Sequence, residues 1–194
     1  MKNMEGDNFD MGKIVIKTEK IDEMIKSVKH ATDNTGLYLG EFNGIWLKAD
    51  GKSEITMITC DGHRLFMNKC KVEKCTKFNV VIPVIKIPKD VAAITIIETR
   101  LDFVSFDFGN VKMTYRSHNP ERFEKLEIDS FLKRENKFSI CVNPNYLKDA
   151  LKNMNNMIEL KFGRSDTDGI IIQDCTNENE IKYVLPMRKN RYSY

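Results

Sequence analysis

Three times along this chain of 194 residues a short strand-like run is followed by a helical stretch and three further strand-like runs, a repeat of about 60 residues. A repeat of that length decides the fold class before any single element is placed, because the chain must be built from copies of one supersecondary unit. The first copy opens on a strand over 13–17. Thr18 reads as the N-cap of a helix over 19–31, in which Ile21, Met24, Ile25 and Val28 fall at i, i+3, i+4 and i+7 as one apolar stripe. Asp33-Asn34-Thr35-Gly36 stops the helix. Strands follow over 37–42, continuing through 45–47, then over 54–59 and 64–70. Asp50-Gly51 and Asp61-Gly62 are the turn pairs between them.

The second copy opens over 78–82. Its helix, 84–94, contains Pro88, which kinks or delays a helix. Strands over 95–99, 102–108 and 111–116 complete it, and a charged connector runs over 117–135. The third copy opens over 137–142, where Phe138, Ile140 and Val142 alternate. Asn143 caps the next helix and Pro144 takes its first position. Leu147, Ala150, Leu151 and Met154 form its apolar stripe, and strands follow over 158–162, 169–173 and 181–185. The fold class read from this pattern is α+β, with antiparallel sheets and helices on one face. Residues 1–11 read as a loose arm, 12–120 as a complete two-repeat domain and 121–136 as a connector. Residues 137–190 read as a half domain of one repeat, and 191–194 as a tail.

Composition narrows the function classes. A hydrophobic share of 41% and a charged share of 30% suit a soluble globular protein. No apolar run approaches the roughly 20 residues of a membrane span, so no membrane partner is expected. The polar start is no signal peptide. Five cysteines, an odd number, read as reduced thiols used as small hydrophobes, which points to the cytoplasm. Cys70 and Cys75 lack zinc-ribbon spacing and a second Cys/His pair, so no metal and no cofactor are expected. Cys60, Asp61 and His63 sit too close along one turn to aim a thiol at an imidazole, and no Walker-type phosphate loop is present. The chain reads as a non-enzyme with no catalytic residues. A net charge of +3 is too mild to show nucleic-acid binding by itself.

Two segments are distinctive: Thr59-Cys60-Asp61-Gly62-His63-Arg64-Leu65 and Tyr183-Val184-Leu185-Pro186-Met187-Arg188. Together, and with Asn43-Gly44-Ile45 and Val80-Val81-Ile82-Pro83, they resemble the bacterial DNA polymerase III β subunit, the sliding clamp. The resemblance implies the DNA clamp fold. In that family each domain is two such repeats and a subunit has three domains. The three repeats here match its middle domain and the C-terminal half of its last. The reduced repeat count leads to the expectation of a shortened, phage- or plasmid-borne version.

The matching segments build the family's partner pocket, a mostly apolar cleft for a short linear peptide. Carried over, the pocket residues are Cys60, which stands for a family threonine, with Gly62, His63, Arg64 and Leu65. Pro120, Lys125 and Leu126 match the stretch after the middle domain, with one extra residue between them. Val184, Leu185, Pro186, Met187 and Arg188 supply the C-terminal wall. The family's helices line the central hole. The resemblance therefore turns Lys26, Lys29 and His30, Lys86 and Lys89, and Asn145, Lys148 and Lys152 toward duplex DNA, to hold phosphates without reading sequence. Asp22, Glu23 and Asp149 dilute that charge, so direct affinity is expected to be weak, with enclosure keeping the protein on DNA.

The implied function is a processivity factor that encircles duplex DNA as a homo-oligomeric ring and takes peptides of the DNA polymerase and clamp loader. The alternative is a peptide-binding regulator, or decoy, that forms no ring. Family rings hold twelve helix-bearing repeats, so three repeats per chain predict four chains, and a fourth repeat hidden in 117–135 would predict three. With an odd number of repeats, first must meet first and third must meet third across twofold axes.

Overall fold

Alternation sets the first strand: along β1 (Gly12–Lys17) positions 12, 14 and 16 are buried and 13, 15 and 17 exposed. The computed structural model describes residues 12–32, 43–100, 102–126, 128, 139–152, 154, 157–177 and 179–187. After β1 come α1 (Thr18–Val28), a 3-10 turn (Lys29–Ala31), β2 (Ile45–Asp50), β3 (Glu54–Cys60), β4 (Leu65–Lys71) and β5 (Lys77–Ile82). Then follow β6 (Ile94–Arg100), β7 (Phe103–Asp107), β8 (Lys112–Arg116) and α2 (Glu121–Glu124). The third repeat carries α3 (Pro144–Leu151), β9 (Ile158–Phe162), β10 (Ile170–Asp174) and β11 (Ile181–Val184). The chain divides into two compact bodies, residues 1–129 and 130–194.

The first body is held together by exchanged strands. Its sheets run β1-β6-β7-β8 and β4-β3-β2-β5, all antiparallel. The opening strand of the first repeat therefore adds to the sheet of the second, beside β6, and the opening strand of the second adds to the first, beside β2. One apolar cluster joins both sheets to α1: Ile14 and Ile97 from one, Leu47 and Met57 from the other, Ile21 and Met24 from the helix, all 0% exposed. Each such side chain contributes about 1.5–3 kcal/mol of burial. The second sheet is covered on its other face too, where Trp46, Ile58, Cys60 and Val81 pack with Phe123 and Ile128. That double cover explains why β2 reads as a nearly continuous apolar run.

Among the described residues the second body has one three-stranded sheet, β11-β10-β9, with α3 on one face. Its helix start is as expected: the Asn143 side chain accepts from Asn145 N at 2.9 Å and Pro144 takes the first turn.

Four local expectations change. Thr18 is the first helical residue, not the cap. Its hydroxyl donates to Ala92 O and shares a hydrogen bond of 2.8 Å with Thr95, and its amide donates to Ala93 O. No helix forms over 84–94. Pro83 and Pro88 supply no amide donor, Val84, Ile85, Ile87 and Val91 are β-branched, and Asp90 sits at φ 56. The segment's carbonyls serve α1 instead, and Ala92 N donates to Phe108 O. Lys86 and Lys89 thus stand on an extended segment. The described part of the opening run of the third repeat, 139–142, is in no strand. The α3 stripe is half-open, with Leu151 39% exposed. The strand expected over 37–42 lies outside the described residues, as do the arm, the tail and Arg188.

Candidate functional site

The Asp61–Arg64 turn is a small rigid device built by one carboxylate. β3 ends at the buried Cys60 and β4 begins opposite it at Leu65. Between them Asp61 Oδ1 accepts from the amides of His63 at 3.0 Å and Arg64 at 2.8 Å. Its Oδ2 accepts from Arg64 Nε at 2.9 Å and Nη2 at 2.6 Å. The Arg64 side-chain bonds, followed by the backbone ones, hold the Asp61 carboxyl down at about 2. Gly62, at φ 83, occupies the left-handed position this turn requires. Gly62 and His63 are exposed, and Leu65 is 39% exposed. The guanidinium of Arg64 stands 5.9 Å from the Phe66 ring. The turn thus holds a fixed cation over the Phe66 ring.

Beneath it, the connector segment docks on the sheet. α2 begins after Pro120 and ends at Lys125. Its Phe123 is buried and lies 5.5 Å from the Trp46 ring. Trp46 Nε1 donates to Asn79, which donates to Glu124, and His118 and Val81 exchange backbone hydrogen bonds. Leu126 packs against the same cluster as Cys60. Lys125 is exposed and pairs with Glu121 at 2.9 Å. The structure therefore brings Cys60, Leu65 and Leu126 to one region of the first body, with Pro120 and Lys125 at the two ends of α2. Sequence reasoning missed Phe123 and Ile128, although both stand out as apolar residues in a charged stretch. It also missed Asp61 as the group that aims Arg64.

The C-terminal segment belongs to the second body. Val184 is buried at the end of β11, whereas Leu185 is 65% and Met187 51% exposed, with Pro186 between them. Met187 N donates to Cys141 O at 2.7 Å, which holds the segment extended along 139–142.

Of the basic residues singled out in the sequence, Lys26 of α1, Lys29 of the 3-10 turn and Lys86 line one open groove, together with Asp22. Lys26 is ion-paired with Asp22, and Lys20 with Glu23 at 2.9 Å. His30 and Lys89 are exposed in the same body. Asn145 and Lys148 on α3 and Lys152 just after it are exposed in the second body, where Lys152 pairs with Asp149 at 2.6 Å. Exposed pairs of this kind are worth little in stability, but each ties up one cation. Among the described residues no group of three or more His, Cys, Asp or Glu side chains is placed to hold a metal ion, and all five cysteines are unbridged. No described helix is long and apolar enough to cross a membrane.

Residues 76–188 match the family described as the DNA polymerase III beta subunit, C-terminal domain. The matched stretch begins at β5 and so holds the second and third repeats, whereas strand exchange unites the first and second. Solved structures share the fold. The subunit from Borrelia burgdorferi, in complex with a natural product, superposes with a TM-score of 0.68 at 17% identity, over 97% of this chain and 50% of that one. The Streptococcus pneumoniae β chain gives 0.65 at 14% identity over 97% and 52%. The Caulobacter crescentus clamp (C. crescentus) gives 0.59 at 14% over 97% and 68%. The chain spans roughly half to two-thirds of the length of the first solved structures it matches. No curated protein matches it.

Proposed function

The chain belongs to the DNA polymerase III β-subunit family, and from that premise we propose that it acts as a sliding clamp. In this reading it is a non-enzymatic processivity factor of the cytoplasm that encircles duplex DNA as a homo-oligomer and holds short peptides of the polymerase and clamp loader. The family match over 76–188 carries the reading. The exposed Leu185 and Met187 of the second body offer apolar contacts, and on the first body Asp61 holds Arg64 as a fixed cation. Gly62, His63, Cys60, Pro120, Lys125, Leu126, Val184 and Pro186, with Arg188, complete the proposed peptide-contact set. Lys26, Lys29, His30, Lys86, Lys89, Asn145, Lys148 and Lys152 form the proposed DNA-facing set. With two of these lysines already ion-paired to neighbouring acids, direct DNA affinity stays low and enclosure does the retaining.

A fluorescent peptide from a polymerase tail, with Gln, Leu and Phe anchors, tests the pocket by titration. Micromolar binding is expected, and Met187→Asp is expected to remove at least tenfold of it by placing a charge on an apolar contact. Absence of binding by the wild-type chain, or equal affinity in the variant, overturns the placement. The ringless regulator differs in mass: it predicts a monomer that still binds peptide.

A further inference from the structure

The first body carries a groove at the start of α1 that the clamp reading leaves unused. β1 ends at Lys17, α1 begins at Thr18, and the end of β4 at Lys71 lies beside them. Alternation along β1 sends Ile14 and Ile16 into the core and leaves Val15 and Lys17 on the outer face. Ile94 of β6 is the register partner of Lys17 and so shares that face. Between these elements is an open groove of about 360 Å³. It lies at the other end of β4 from Leu65, about 20 Å along the strand at the usual rise. The groove is therefore separate from the Asp61–Arg64 turn, and Lys26 stands at the opposite end of α1.

The groove is apolar inside and basic at the rim. Its floor is Ile16 and Cys70, both buried members of the main core. Its walls are Val15 and Ile94, 44% and 53% exposed, with Val72 half-buried between floor and rim. On the β4-β3-β2-β5 sheet the outward apolar residues Trp46, Ile58 and Val81 are covered by Phe123 and Ile128, whereas Val15 and Ile94 stay open. Lys17, Lys20 and Lys71 are exposed around the groove, against one acid of the lining, Glu73. Lys20 is ion-paired with Glu23 at 2.9 Å. Among the described residues Lys17 and Lys71 are in no ion pair.

That chemistry selects the occupant. Aliphatic walls over a thiol give a base nothing to stack on, which disfavours single-stranded nucleic acid. Lysines at a rim act as point charges and favour carboxylates. An extended peptide alternates its side chains, so apolar anchors face the floor while acidic neighbours stay at the rim. We propose that this groove takes a short linear peptide of a partner protein in which apolar residues alternate with Asp or Glu. Burial against Val15, Val72 and Ile94 supplies the contact, and Lys17 and Lys71 select acidic sequences and speed their encounter. The inference does not rest on the clamp reading, since it uses no residue of the proposed pocket or of the DNA-facing set.

The test is fluorescence anisotropy of a labelled synthetic peptide, alternating Glu and Asp with Leu and Ile, titrated with the full chain. Wild type is expected to bind at micromolar strength. Val15→Asp and the double variant Lys17→Glu/Lys71→Glu are each expected to weaken binding at least about tenfold. Val111→Asp, exposed between β7 and β8, is the control and is expected to bind as wild type. No binding by wild type, or unchanged affinity in the lysine variant, overturns the proposal. Equal affinity for polyglutamate, which has the charge without the anchors, also overturns it. Displacement by single-stranded oligothymidylate would give the groove to nucleic acid and overturn it likewise. Binding that appears only after removal of residues 1–11, which hold Glu5, Asp7 and Asp10, would assign the groove to the chain's own start and overturn it too. Should Val15→Asp unfold by circular dichroism, the lysine variant decides alone, because both of its side chains are exposed. Excess unlabelled polymerase-tail peptide is expected not to displace the acidic one, and displacement would place the latter in the other pocket. The two readings fail separately: a chain that binds the acidic peptide but no polymerase-tail peptide sinks the pocket and leaves the groove.

Discussion

The Asp61 carboxylate shows how one residue sets the chemistry of a turn. Four donors converge on it, three of them from Arg64, and its carboxyl is lowered from 3.8 to about 2. Asp50 does the same at the other hairpin. Its Oδ1 accepts from the amides of Lys52, Ser53 and Glu54, and its carboxyl also falls to about 2, chiefly through the Glu54 and Lys52 amides. A carboxylate depressed in the folded state adds stability above its unfolded pKa and loses it as pH falls through the folded one. Both contributions are therefore full above about pH 4 and vanish toward about pH 2. The double variant Asp50→Asn/Asp61→Asn is expected to melt below wild type at neutral pH. The gap should close as pH falls from about 4 to about 2. Thermal unfolding followed across that range checks it, and parallel curves for the two proteins would refute the linkage.

Among elements, the four-residue helix α2 is the one whose role exceeds its size. It is too short to be stable by itself, and it is held by tertiary packing: Phe123 on Trp46, and the chain of side-chain hydrogen bonds from Trp46 through Asn79 to Glu124. This docking covers the outer face of the β4-β3-β2-β5 sheet and brings Leu126 to the cluster that contains Cys60. Phe123→Ala is expected to cost about 3 kcal/mol, within the range for emptying a buried aromatic site. Because Trp46 is the sole tryptophan, its emission should also shift to the red as the ring becomes wet. Denaturant unfolding with fluorescence detection reads both. An unshifted spectrum with unchanged stability would mean that the connector is not docked on Trp46.

At the scale of the whole molecule, repeats and assembly are one question. Two repeats close the first body by exchanging strands, whereas the described residues of the second body form one three-stranded sheet with a half-open helix. If the third repeats pair between copies and the first repeats meet likewise, four chains close with dihedral symmetry, and the two faces of the ring become equivalent. Sedimentation at micromolar protein is expected to give a tetramer. A trimer would show that the copies meet head to tail, and a strict monomer would leave no ring.

The sequence by itself determined the α+β class and most strands, because period-two alternation and turn pairs such as Asp61-Gly62 act over a few neighbours. It also determined the α1 stripe and the Asn143-Pro144 helix start, both local effects. It pointed to the Cys60–Leu65 turn and the Val184–Met187 segment through residue identities alone. Only the tertiary structure decided that β1 and β5 trade places between repeats: β1 pairs with β6 across 77 to 87 positions and β5 with β2 across 27 to 37, and pairing at such separations leaves no periodic trace. Only there does Thr18 spend its hydroxyl on Ala92 and Thr95 rather than on a cap, and only there do residues 84–94 trade a helix for hydrogen bonds to α1 and Phe108. Pairing of this kind depends on contacts between distant segments, and a local pattern carries no term for them.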